Sequence, residues 1–161
     1  MPLVEERFEV EAAPDTVWSF LLDPKRLAPC IPGCNALEIV DERTYRVRLT
    51  VKVGFLSTVQ DVVVRIVESE PPRRLVSEGR GEDKRLGSQV DMRTTLDLSP
   101  AGDRGTAVTY TSDVKVLGRL GSVGDAVMKV KARQLATDFA QRVKAALEQA
   151  PPSPPSGERA G

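Results

Sequence analysis

A chain of 161 residues with 23 Lys and Arg against 23 Asp and Glu has no formal net charge, so no global field draws it to a nucleic-acid backbone. Hydrophobic residues at 40% and charged residues at 29% are the balance of one globular domain with a real core. The sequence contains no histidine, which removes the commonest general base and metal ligand.

The opening residues MPLVEERFEV are acidic and alternating, not an apolar block, so no secretory signal is expected. No stretch approaches the roughly 18 apolar residues that span a bilayer. A cytoplasmic location follows as the expectation, with any membrane contact peripheral, at the inner face. Val4 to Ala12 alternate as a strand, interrupted on its apolar face by Glu6. Ala13-Pro14-Asp15 then reads as a helix start, since proline suits the first turn and an acid suits the positive end of the dipole. Val17, Phe20 and Leu21 follow at helical spacing until Asp23-Pro24 breaks the helix, and Lys25 to Pro29 forms a second short turn.

From Ala36 the pattern is β. Tyr45, Val47, Leu49, Val51 and Val53 alternate without error against Arg46, Arg48, Thr50 and Lys52, and Gly54 marks a turn. Val59 to Glu68 is the next strand, Pro71-Pro72 punctuates, and Leu75-Val76 predicts a short strand ending at Gly79 to Gly81. Two long strands follow, Leu86 to Leu98 and Thr106 to Val116, joined by the loop Pro100 to Gly105. One uninterrupted helix is predicted from Arg119 to Gln149, with Leu120, Gly124, Val127, Met128, Ala132, Leu135, Ala136, Phe139, Val143, Ala146 and Leu147 on one stripe. Residues 150–161 are rich in proline and serine and are expected to be a disordered tail behind a domain of residues 1–149. The order of elements predicts an α+β fold: a curved antiparallel sheet of about seven strands around a long C-terminal helix, with two short helices after the first strand.

Four features have two readings each. Cys30 and Cys34 flank Ile31-Pro32-Gly33; a zinc site needs about four ligands, so a rigid turn is favoured over a metal site, with a reversible disulfide as the alternative. Gly118, Gly121 and Gly124 precede Asp125 instead of the Lys and Ser or Thr of a phosphate loop. They ease a corner between strand and helix and leave space there for a ligand entrance. Asp61 and Asp91 interrupt strand patterns and are assigned to the solvent face, not to catalysis. Lys129, Lys131 and Arg133 form either a solvated helix face or, with Lys25 and Arg26, a docking patch for an acidic partner or an anionic membrane.

The segments DPKRLAPCIPG (residues 23–33), VKVGFL (51–56), PDTVWSFLLDP (14–24) and GTAVTYTSDVKVLGRLGSVGD (105–125) resemble the CoxG family of carbon monoxide dehydrogenase subunits, and the element order resembles the helix-grip fold of the START and birch-pollen-allergen superfamily. That resemblance implies an accessory protein with a hydrophobic cavity between sheet and helix. It further implies membrane recruitment of a molybdenum-dependent carbon monoxide dehydrogenase or related hydroxylase, or delivery of a quinone or lipid to it. Aromatics at only 4% of the chain leave small side chains to line the enclosed space.

The expected function is therefore non-enzymatic carriage of an apolar small molecule, a quinone or lipid. Phe20, Val51, Met92, Leu96, Val108, Tyr110, Val127, Met128, Leu135 and Phe139 are the candidate ligand-binding residues. No catalytic residue, metal ligand or cofactor is expected. The inward phase offers only Tyr110, Thr94, Thr106 and Ser112 as polar groups, a thin set for catalysis. The alternatives are an interaction module with a filled cavity and a cyclase- or aromatase-like enzyme.

Overall fold

The computed structural model describes residues 3–149; the expected disordered tail lies outside the described residues. Seven strands form one sheet: β1 (Leu3–Val10), β2 (Cys34–Asp41), β3 (Thr44–Val53), β4 (Leu56–Glu70), β5 (Arg74–Asp83), β6 (Ser88–Ala101) and β7 (Gly105–Leu117). Its order is β1-β7-β6-β5-β4-β3-β2. All neighbours are antiparallel, and β1 closes against β7 from Val4↔Ser112 to Val10↔Thr106. Strands this long must twist and coil to stay packed, and register shifts at Ile66/Glu68 and at both ends of β2 add to the bend.

Between β1 and β2 lie α1 (Pro14–Leu21), α2 (Pro24–Leu27) and a 3₁₀ turn over Ala28–Cys30. Pro14 starts α1, and the Asp23 carboxylate caps α2 by accepting from the Lys25 N–H at 3.2 Å. The long helix α3 spans Asp125–Gln149.

Two expectations are corrected. The helix predicted from Arg119 is broken: Arg119–Val123 is a 3₁₀ turn, and Gly124 at φ +98° separates it from α3, a backbone conformation open to glycine that ends helical propagation. Gly79 and Gly81 do not end β5. They pair with Met92 and Val90 on one side and with Val64 and Val62 on the other. A strand laddered on both sides overrides the weak β propensity of glycine.

One cluster makes the core. Val17, Trp18, Phe20 and Leu21 of α1 pack with Val10, Leu98 and Val108 of the sheet and with Val143 and Leu147 of α3. Polar bonds tie the same half of α3 to the rest: Lys144 Nζ donates to the Glu9 carbonyl at 2.6 Å, Arg142 Nη1 to the Pro29 carbonyl at 3.3 Å, and the Glu11 N–H to Glu148 Oε2 at 2.9 Å. From Asp125 to Leu135, by contrast, no residue of α3 is fully buried.

A cavity beneath the first half of the long helix

The inward face of the sheet is shared by two different environments. At one end, Leu98, Val108 and Thr106 are sealed by α1 and the second half of α3. At the other end, α1 contributes only its last residue, Leu21, and the first half of α3 lies over the concave face without a fully buried residue, so a cavity of about 350 Å³ is left. That size falls within the roughly 300–1,000 Å³ of small-molecule sites.

Short side chains keep the floor low: Val62, Val64, Val90, Val114 and Val116 with Gly79. A Cβ on Gly79 would lie 3.1 Å from Met92 Cγ and 3.6 Å from Val62 Cγ1, so the glycine leaves Met92 its place. Met128, Ala132, Leu135 and Phe139 make the roof, while Leu22, Pro24, Leu27, Ile31 and Pro32 close one side against Leu37. The Tyr110 and Phe139 rings, with centroids 5.7 Å apart, mark where sheet and helix meet.

Val51, Met92, Leu96, Tyr110, Met128, Leu135 and Phe139 thus stand together on the cavity wall. The other three candidates do not. Phe20 is buried in the core under the Arg26 guanidinium, whose carbon lies 4.8 Å above its ring. Val108 has the inward phase, but it is fully buried at the sealed end. Val127 is corrected to the outer surface: it is 39% exposed and lines the outer groove, while its neighbour Met128 lies on the cavity wall. At the glycine corner, Gly124 has open space where a Cβ would stand. Gly118 sits on the Gly87 and Ser88 backbone, where any Cβ would collide, and the Leu120 N–H donates to Ser88 Oγ at 2.8 Å.

The polar groups of the wall come in two sets. Thr94 Oγ1 and Ser112 Oγ are 3.1 Å apart and stand beside the Tyr110 phenol. Burial pushes that phenol above its usual range, against the lowering effect of these hydroxyls, so it stays protonated at neutral pH. Burial raises Tyr45 as well. Thr106 serves elsewhere, donating to the Ala12 carbonyl at 2.7 Å.

The other set escaped the sequence reading. Thr58 and Gln60 are in phase with Val62, Val64 and Ile66; starting the strand at Val59 left Thr58 outside it, and Gln60 within it was not read as an inward position. Thr58 Oγ1 donates to Asp83 Oδ2 at 2.7 Å and accepts from Gln60 Nε2 at 2.9 Å. The Val59 and Leu86 N–H groups also donate to the Asp83 carboxylate, at 3.0 and 3.3 Å. Burial raises Asp83, but these bonds and Arg85 outweigh it and hold the carboxyl below the usual range.

Asp61 and Asp91 lie on the convex face, paired to Arg48 and Arg80 at 3.0 Å each. Cys30 and Cys34 are free thiols, both pushed up chiefly by burial. They flank a turn in which Gly33, at φ +79°, lies against the Thr50 backbone and its carbonyl accepts the Thr50 N–H at 2.9 Å. Among the described residues no three His, Cys, Asp or Glu side chains gather as a metal site. Outside, Lys52, Gly54, Ala126, Val127, Val130 and Gln134 form a groove that shares Lys131 with the cavity wall. Phe55, 86% exposed, is at the adjoining turn, and Val130 is 66% exposed.

The CoxG family of carbon monoxide dehydrogenase subunits matches residues 7–148. No curated protein matches the sequence. A conserved protein from Geobacillus kaustophilus is similar at 26% identity and TM-score 0.81, over 89% of this chain and 93% of its own. A START superfamily protein from Mycobacterium smegmatis is similar at 16% identity and TM-score 0.74, over 92% and 98%. An aromatase/cyclase, Zhui, from Streptomyces sp. R1128 is similar at 17% identity and TM-score 0.72, over 97% and 98%. The last two likenesses show the helix-grip fold alone.

Proposed function

As the chain belongs to the CoxG family of carbon monoxide dehydrogenase subunits, we propose that it is a non-enzymatic carrier of an apolar small molecule, a quinone-type compound or lipid, serving a molybdenum-dependent enzyme of the carbon monoxide dehydrogenase type. The observation that carries this reading is the cavity itself. It is about 350 Å³ in volume, walled mainly by Val, Leu, Met and Phe, and roofed by the half of α3 that packs least. Transfer of apolar ligand surface out of water supplies the affinity.

The chemistry of the wall supports carriage over turnover. Its titratable groups are Tyr45, Tyr110 and Lys131, and two raised phenols offer no general base at neutral pH. A peripheral encounter with the membrane is supported by Phe55, Val127 and Val130, exposed beside Lys52, Lys129 and Lys131. Exposed apolar residues rimmed by lysines suit the headgroup region of an anionic bilayer. No helix among the described residues is long and apolar enough to cross a membrane.

The test is native mass spectrometry of the full chain incubated with menaquinone and with bacterial lipid extract, followed by denaturation. A bound species released only on denaturation is the expected result. A clean apo mass under both conditions overturns the carrier and leaves an interaction module.

A further inference from the structure

Gln60 stands on the cavity wall and is only 5% exposed. Among the described residues its carbonyl oxygen, Oε1, is the one buried side-chain polar atom without a hydrogen-bond partner. A buried polar group in that condition carries a substantial free-energy penalty, and Asn or Gln ordinarily relieves it by turning the amide over. Here the amide is locked. Asp83 is a carboxylate held below the usual range by several donors, so it only accepts. Thr58 has one proton, spent on Asp83 at 2.7 Å; its oxygen can therefore only accept from Gln60, and it takes Nε2 at 2.9 Å. The relay Asp83–Thr58–Gln60 thus fixes the polarity of the amide and leaves Oε1 as the open acceptor.

The surroundings suit that role. Of the three hydroxyls on the opposite strands, Thr94 and Ser112 are bonded to each other, and Tyr110 stands beside them. Gly81 faces the Gln60 carbonyl from β5, and a Cβ there would fall 2.9 Å from Oε1. A glycine is unfavourable inside a central strand, and this one leaves the Gln60 carbonyl its place.

We propose that Gln60 selects ligands that carry a hydroxyl donor, an aliphatic alcohol or a hydroquinone, over those with only acceptor oxygens such as an ether, an ester or an oxidised quinone. This inference rests on the carrier reading and specifies the ligand class within it. It predicts that the reduced form of a quinone-type ligand, with its two O–H groups, is held and the oxidised form is released more readily.

The experiment is calorimetric titration of the full chain with two matched pairs: decanol against decyl methyl ether, and duroquinol under dithionite against duroquinone. Wild-type protein should bind the donor-bearing member of at least one pair about tenfold more tightly, the equivalent of one well-made hydrogen bond. Discrimination in the decanol pair alone identifies an aliphatic alcohol, and in the duroquinol pair alone a hydroquinone. Gln60→Leu should bring the ratio to about one while the acceptor-only probe binds no more weakly. Thr58→Val, which frees the amide to turn over, should also narrow the ratio and serves if Gln60→Leu does not fold. Equal wild-type affinity within both pairs overturns the inference and leaves the carrier standing, as does a ratio that survives both variants. Failure of all four probes to bind wild-type protein overturns the carrier reading and this inference with it.

Discussion

Asp83 shows how a buried charge is kept in an apolar structure. Three donors within 3.3 Å compensate its desolvation, and they tie the start of β4 to the turn after β5. Asp83→Ala strands those donors and should destabilise the protein by roughly 1–3 kcal/mol at neutral pH, read by urea denaturation. Because the folded-state pKa is depressed, the contribution is present above the unfolded value near 3.9 and is lost as pH falls through the lower folded value. The gap between wild type and variant should therefore shrink below about pH 4. Met128 tests the cavity at the same scale. It is only partly buried on the roof, so Met128→Trp has room to fill and should abolish ligand uptake with a change in stability below about 1 kcal/mol. A loss well above that, with uptake intact, would mean that the space is already occupied by side chains.

The long helix is two objects joined end to end. From Ala136 onward it buries Ala136, Ala140, Val143 and Leu147 and is held to β1 and the turn before β2. Before that point it touches the sheet across the cavity. Leu147→Ala should cost about 2–5 kcal/mol, the loss expected for a packed core leucine. Leu135→Ala removes the same atoms from a partly buried position and should cost well under half as much while widening the cavity. Amide hydrogen exchange should rank the halves in the same way, with residues 126–135 exchanging faster than 136–148, since local stability follows buried contact. Uniform protection along α3 would contradict this division. The early half is then the segment that can yield when a ligand enters.

At the scale of the whole molecule, one end of the sheet is plugged, the other holds the cavity, and the groove beside the cavity is apolar with a lysine rim. This polarity gives a carrier a direction in which to dock. Phe55→Ser removes the most exposed apolar side chain of that end without touching the cavity wall. It should lower binding to vesicles of mixed anionic and zwitterionic lipid several-fold in a flotation assay, and leave ligand affinity and thermal stability unchanged. Added salt should weaken what remains, because the Lys52, Lys129 and Lys131 contribution is screened within about 10 Å at ordinary ionic strength. Vesicle binding that ignores both Phe55→Ser and salt would place the membrane contact elsewhere.

Element order, the sidedness of the most regular strands and the family were legible in the linear chain. An error-free alternation such as Tyr45 to Val53 admits one buried face, and the segments from Asp23 to Gly33 and from Gly105 to Asp125, on which the resemblance was read, lie inside the span the family matches. Periodicity names the side of a chain that turns inward; it does not say what stands opposite. Val108 and Val114 share one face of β7, yet α1 and α3 seal Val108 while Val114 faces the cavity. Val127 and Met128 adjoin on α3, and only the seating of the helix over the sheet decides that Met128 lines the cavity while Val127 stays exposed. The acceptor on Gln60 belongs to the same category. Its direction is set by Thr58 and Asp83, and Asp83 lies on another strand, 25 residues from Thr58; such a bond chain exists only once β4 and β5 are paired.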